Sequence, residues 1–357
     1  MVEEFTARTD PAAWEDLRAR LRATRWPDPV AGWSLGVDVD ELRELCAYWA
    51  DGFDWPAREA ALNELPRFRS GGTHFVHAGH GGFPLVLCHG WPDSFWRYSA
   101  VIPLLTDPPD PADAFDVVVP DMPGYGYSDI PAEPLDAVAV AGLWASLMTE
   151  LGYERFCAAG GDIGSAVARY LALDHPERVI AVHRMDAGLP AVVPDDLSPA
   201  EREFLQGAAA WGAAEGAYGQ MHRTKPQTAA VGLTDSPAGL AAWIVEKLRS
   251  WTDTAGLDRD EMLTDLTIFW LTGTIGSSMR MYHANSAIPA AQHARRVEVP
   301  SGFSLFPGDL VRAPREWLDR VANVVSVTEP PRGGHFAPIE EPELYAQELR
   351  DFFRPFR

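Results

Sequence analysis

The sequence predicts an α/β chain: a mostly parallel central sheet flanked by helices, to which an N-terminal helical leader and an inserted helical lid are added. Short apolar runs bounded by Gly, Pro and Asp recur at residues 74–77, 85–88, 115–119, 156–159, 179–183, 303–306 and 324–327. Their length and continuity suit strands buried on both faces. Stretches of helical period at 137–151, 163–174 and 314–321 lie between them, and strands alternating with helices build a parallel sheet. Two segments break that rhythm. Residues up to 69 read as helices only: Asp10 and Pro11 make an N-cap and first-turn pair, and Trp14, Leu17 and Leu21 share one face. Residues 190–296 form a second helical block, with Ser236 and Pro237 as an internal helix start, and the strands resume at Phe303. The expected organisation is therefore a leader over 1–70 packing on the core, a first core segment over 71–189, a lid over 190–297 and a second core segment over 298–357.

Composition narrows the function. At 357 residues the chain has room for one large domain with an insertion, or for two domains. Apolar residues make up 46% and charged residues 23%, which supports a buried core and excludes disordered and fibrous classes. Thirty Lys and Arg against 51 Asp and Glu give a formal charge of −21, which repels phosphate backbones and anionic lipid surfaces. Nucleic acid is excluded as an expected partner. The first residues carry acids where a secretory signal has a basic region, and no stretch is long and apolar enough to span a bilayer; a cytoplasmic protein without a membrane anchor is expected. Cys46, Cys88 and Cys157 show no CxxC spacing and read as buried reduced thiols.

The sharpest local signal is Gly160-Gly161-Asp162-Ile163-Gly164, between the run 156–159 and the helical stretch behind it. A sharp strand-to-helix turn that presents a nucleophile needs small residues two before and two after it. The central residue is Asp where Ser is usual. A carboxylate is already anionic at neutral pH, needs no base to attack, and suits displacement at a saturated carbon with formation of an alkyl ester. A plain Gly-rich turn with an Asp cap is the structural alternative.

Hydrolysing that ester requires a base for water and an acid to orient the base, in the chain order nucleophile, acid, His. His335, in Gly333-Gly334-His335-Phe336 after the last run, and Asp309, in Phe306-Pro307-Gly308-Asp309, complete the order; Asp186 is the alternative acid. An oxyanion hole needs two backbone N–H groups. Ile163, after the nucleophile, and Trp91, in His89-Gly90-Trp91-Pro92, are the candidates, with His89 bracing the loop.

These blocks resemble the microsomal-type epoxide hydrolases of the α/β-hydrolase fold with their N-terminal helical region. The resemblance runs through Thr24-Arg25-Trp26-Pro27-Asp28, HGWPDSFW at His89, VVPDMPGYGYSD at Val118, GGDIGS at Gly160, TKPQT at Thr224, LTDSPAGLAAWI at Leu233, TGTIGSS at Thr272, FPGDL at Phe306 and RGGHFAP at Arg332, nearly the whole chain. It implies an α/β-hydrolase fold, conversion of a small-molecule epoxide to a vicinal diol without a cofactor, and two lid tyrosines, Tyr218 and Tyr282, that donate to the epoxide oxygen. Neither would stand out otherwise among nine tyrosines. A basic alkoxide leaving group does need a positioned acid, and a phenol is protonated at neutral pH. Detoxification and natural-product biosynthesis both fit the resemblance, and the helical leader is a candidate homodimer surface.

The chain departs from relatives in having Ile163 where many carry Trp and Asp309 where animal relatives often carry Glu, and the membrane anchor of the animal microsomal enzymes is not expected here. A haloalkane or haloacid dehalogenase shares the Asp nucleophile and is the alternative enzyme. Ile163 argues against it, because halide binding often uses a Trp there. A binding protein that has lost catalysis is a third reading, opposed by the intact Asp162, Asp309 and His335. His74, His77 and His80 are not expected to bind a metal, since strand residues three apart point to opposite faces. Trp211, Trp243, Trp251 and Trp270 in the lid read mostly as core, with one or two lining the pocket.

Overall fold

The computed structural model describes residues 1–188, 192–253 and 257–357. Nine strands form one sheet: β1 Glu3–Glu4, β2 Arg67–Ser70, β3 Thr73–Ala78, β4 Phe83–Cys88, β5 Phe115–Pro120, β6 Phe156–Gly160, β7 Val179–Arg184, β8 Val297–Ser304 and β9 Ala322–Thr328. Their order is β1-β2-β3-β5-β4-β6-β7-β8-β9. From β5 to β9 every neighbouring pair is parallel, while β1, β2 and β3 join antiparallel at one edge. The parallel centre follows from composition: every residue of β5 and β6 is buried, so the strands need helices on both faces. Helices Ala137–Glu150 and Ile163–Asp174 cover one face, and Val101–Thr106 and Pro342–Phe353 lie on the sheet's other side.

Two expectations need correction. The leader is not helices only, because β1 and β2 fall inside it and extend the sheet edge. Arg67-Phe68-Arg69-Ser70 is too short and too charged to read as a strand, and its pairing with β3 supplies the backbone partners its sequence does not advertise. The strand read at 303–306 lies earlier, at Val297–Ser304, where buried Val297 and Val299 alternate with exposed or half-exposed neighbours. Pro300 and Ser301 disguised that alternation, and the apolar run behind them drew the boundary too late.

The leader helices Pro11–Arg22, Val39–Asp51 and Trp55–Glu64 bury Leu17, Leu21, Trp49 and Trp55, and Trp14 packs partly buried between Phe53 and Trp55. Asp10 caps the first of them through Ala12 N–H. They clamp the lid as well as the sheet. Trp49 Nε1 donates to Thr267 Oγ1 at 2.9 Å, Tyr48 donates to Asp260 at 2.9 Å, and Arg58 pairs with both Asp260 and Glu261.

Between β7 and β8 the described residues hold helices Pro199–Glu215, Ala217–Thr224, Pro226–Asp235, Pro237–Ser250, Arg259–Thr272, Ile275–Asn285 and Ala290–His293, and no strand. The expected lid start at residue 190 lies outside the described residues. Ser236 caps the helix it was read to start, accepting from Gly239 N–H with Pro237 at the first position. No described helix is long and apolar enough to cross a membrane.

Candidate active site

All the candidate residues of the core lie just past the C-terminal ends of parallel strands, where an open α/β sheet forms its crevice. Asp162 follows β6 and opens the helix Ile163–Asp174. Its φ of +56° is the only positive value among described non-glycine residues, and such strain clusters at functional sites. The turn survives because its neighbours lack side chains. A Cβ on Gly164 would meet the Cys88 carbonyl oxygen at 2.0 Å, and one on Gly90 would meet the Asp162 carboxylate at 2.4 Å. Gly90 therefore lets the β4 loop reach the carboxylate, and Trp91 N–H donates to Asp162 Oδ1 at 2.8 Å. The Ile163 N–H meets the same carboxylate.

That loop is fixed from below. His89 bonds its own Gly90 carbonyl at 3.0 Å and accepts the Met122 N–H at 3.0 Å, so it braces the loop. His74, one of the three spaced histidines, bonds Asp121 through Nδ1 at 2.8 Å and accepts Arg67 Nε at 2.9 Å, while Asp121 receives Phe95 N–H at 2.8 Å. Arg67 of the leader thus reaches the segment after β4 through a buried chain of hydrogen bonds. His77 bonds Tyr153 instead. Among the described residues no group of His, Cys, Asp and Glu could hold a metal ion.

His335 Nδ1 stands 2.7 Å from Asp309 Oδ1, and its Nε2 stands 3.4 Å from Asp162 Oδ2. Asp309 is held in turn by the Leu310 N–H at 2.7 Å. Asp186, the alternative acid, does not face the imidazole: it accepts the Asp162 backbone N–H at 3.0 Å and the Gly188 N–H at 2.7 Å, bracing the turn from behind. Burial and the nearby Asp309 charge push its carboxyl up to about 6. Burial alone would lower the His335 imidazole, but the Asp309 and Asp162 charges outweigh it and hold the ring at about 10. Burial would raise the Asp162 carboxyl, yet His335 and the two backbone N–H groups keep it below its ordinary value. At neutral pH the resting imidazole is therefore protonated beside the ionised Asp162 carboxylate.

Tyr218, on Ala217–Thr224, and Tyr282, on Ile275–Asn285, hang over this pair with ring centroids 5.9 Å apart. Tyr218 stacks on Trp91 at 5.2 Å. The Tyr282 hydroxyl is buried beside that of Tyr218, although its ring is partly exposed. Burial first, and then the Asp162 charge among its neighbours, raises both phenols above their ordinary value, so each keeps its proton. Among the lid tryptophans, Trp251 reaches the site, 5.3 Å from His335 and 5.1 Å from Tyr218, while Trp211 packs behind it and Trp270 lies under Arg20. All three cysteines are buried and free.

The sequence reading missed two residues. Arg97 is buried, pairs with Asp93 four residues before it, and donates to the His335 carbonyl, tying the loop after β4 to the histidine loop. The Asp-x-x-x-Arg spacing in the HGWPDSFW block was its only signal. His222, buried against Trp91 at 4.6 Å, had none among ten histidines.

Two family models match the chain: the epoxide hydrolase N terminus over residues 2–98 and the alpha/beta hydrolase fold over 84–243. A Stigmatella aurantiaca protein named as a candidate epoxide hydrolase is 39% identical, covering 100% of this chain and 86% of its own length. Epoxide hydrolase 1 of Sus scrofa is 32% identical, covering 98% of this chain and 88% of its own. Among solved structures, Aspergillus niger epoxide hydrolase superposes with a TM-score of 0.91 at 29% identity, covering 100% of this chain and 97% of that one. Juvenile hormone epoxide hydrolase from the silkworm Bombyx mori gives 0.92 at 27% identity, covering 100% and 95%.

Proposed function

The chain belongs to the α/β-hydrolase-fold epoxide hydrolases, and on that premise we propose that Asp162 opens the epoxide ring and that His335 with Asp309 releases the product. The observation that carries this reading is a carboxylate, in place of a hydroxyl, at the strained turn 3.4 Å from an imidazole. An Asp162 oxygen attacks a ring carbon, the C–O bond breaks, and the departing oxygen takes a proton from a phenol of the Tyr218 and Tyr282 pair. Esterification removes the Asp162 charge, which lowers the proton affinity of His335 and turns the imidazolium into a base once it has passed its proton back to the phenolate or to solvent. His335 then takes a proton from water that attacks the ester carbonyl. The N–H groups of Trp91 and Ile163 receive the oxyanion, the acyl C–O bond breaks, and the leaving alkoxide takes the proton that His335 drew from water, releasing the vicinal diol.

The dehalogenase alternative is not favoured: the relatives named above are epoxide hydrolases, Ile163 supplies no indole N–H for halide, and two lid phenols face the carboxylate. Clearing reactive epoxides or completing a biosynthetic diol are the roles this chemistry serves. Incubation with aryl and alkyl epoxides beside matched alkyl halides and fluoroacetate tests it. Diol without halide is expected, and halide without diol would overturn it and reduce Tyr218 and Tyr282 to packing.

A further inference from the structure

His222 is a buried histidine that the ring-opening scheme leaves unused. It lies one turn after Tyr218 on the same helix. Its ring is 4.6 Å from that of Trp91, 4.9 Å from Tyr282 and 5.4 Å from Tyr218, so it belongs to the aromatic wall over Asp162. Trp243 Nε1 donates to His222 Nε2 at 3.0 Å. An indole N–H can only donate, so Nε2 carries no proton, and a neutral imidazole then carries its one proton on Nδ1. Burial first, and the Lys247 charge second, keep the ring neutral at about 3. Nδ1 itself is buried and has no hydrogen-bond partner, a condition shared in this wall by Trp91 Nε1 and Trp251 Nε1.

A buried N–H without an acceptor is costly, and protein interiors rarely retain one without a use for it. The epoxide oxygen does not supply the acceptor. It has two lone pairs, and in the ring-opening scheme proposed above the hydroxyls of Tyr218 and Tyr282 take both. The wall therefore offers more donors than the epoxide ring can accept.

We propose that His222 Nδ1–H is a substrate-binding donor, and that the substrates this site prefers are epoxides bearing a second acceptor oxygen close to the ring, as in a glycidyl ether or an epoxy ester. This rests on the epoxide-hydrolase reading above and names the substrate class of that same pocket. Trp243 acts as a positioning residue, because its N–H fixes which imidazole nitrogen carries the proton.

The test compares kcat/KM for phenyl glycidyl ether with that for its carbon isostere, 4-phenyl-1,2-epoxybutane. The ether also activates the ring electronically, and that contribution cancels when the ether-to-carbon ratio is compared between variants. A neutral hydrogen bond contributes a factor of about five to ten, so the ratio should fall by about that much in His222→Phe and recover in His222→Gln, whose amide donates again. Trp243→Phe should lower the ratio by releasing the tautomer. A ratio unchanged in His222→Phe overturns the proposal. If that variant does not fold, a ratio unchanged in Trp243→Phe overturns it. Absence of turnover of both epoxides by the wild-type protein would instead overturn the epoxide-hydrolase reading itself.

Discussion

The charge on His335 should switch during turnover, and pH separates the two states. In the resting protein the imidazole is held at about 10 by Asp309 and Asp162, against the effect of burial. Alkylation of Asp162 deletes one of those charges, 3.4 Å from Nε2, which at an effective dielectric of about 20 withdraws about 5 kcal/mol of stabilisation from the imidazolium. At about 1.4 kcal/mol per tenfold change in proton affinity, the ring in the ester should bind its proton about three orders of magnitude less tightly. Ester formation needs the carboxylate, which is kept ionised below its ordinary value, and a phenol, which keeps its proton throughout this range. Hydrolysis needs neutral His335. As pH falls below that lowered value the second step should slow about tenfold per unit while the first proceeds, and the ester should accumulate. Rapid quench of single turnovers between pH 5 and 9, with mass analysis of the Asp162 peptide, measures its fraction directly. His335→Gln should accumulate ester at every pH. An ester fraction in the wild type that does not change across this range, or that rises with pH, would refute the switch.

Three further outcomes follow from the geometry. Tyr218→Phe and Tyr282→Phe should each slow ester formation about 10- to 100-fold, and the double variant more than about 1,000-fold, measured by stopped-flow fluorescence of the tryptophans around the site; two untouched single-variant rates would remove the phenols from the mechanism. Asp309→Asn deletes the charge 2.7 Å from Nδ1 and should slow ester hydrolysis about 100- to 10,000-fold while ester formation persists, so that quenched samples hold alkylated Asp162. Trp49→Phe removes the donor to Thr267 and part of a fully buried ring, which should cost about 2 kcal/mol and lower the thermal midpoint by several degrees; an unchanged midpoint would show that this leader-to-lid contact is not stabilising.

The central strands were legible because burial on both faces forces a continuous apolar run, and β4, β5 and β6 are such runs. The turn at Asp162 was legible for a related reason: a strained turn tolerates few residue types around it, so the glycines mark the position. Strands β1 and β2 were not legible, because an edge strand takes its stability from the neighbour it pairs with and shows little of it in its own side chains. Tyr218 and Tyr282 came into view only through the resemblance of their blocks, since helical periodicity treats a tyrosine over a catalytic pocket and a tyrosine in a core alike.

By itself, then, the sequence determined the layered architecture, the glycine-bounded turn at Asp162 and the chain order of Asp162, Asp309 and His335, since each of these is a local constraint written into neighbouring residues. Tertiary structure alone decided that Asp309 and not Asp186 meets the imidazole, that the leader grips the lid, and that His222 shares a wall with Trp91 and both tyrosines. Those relations join segments far apart in the chain, and their strength depends on distance and burial, which no residue carries in its own identity.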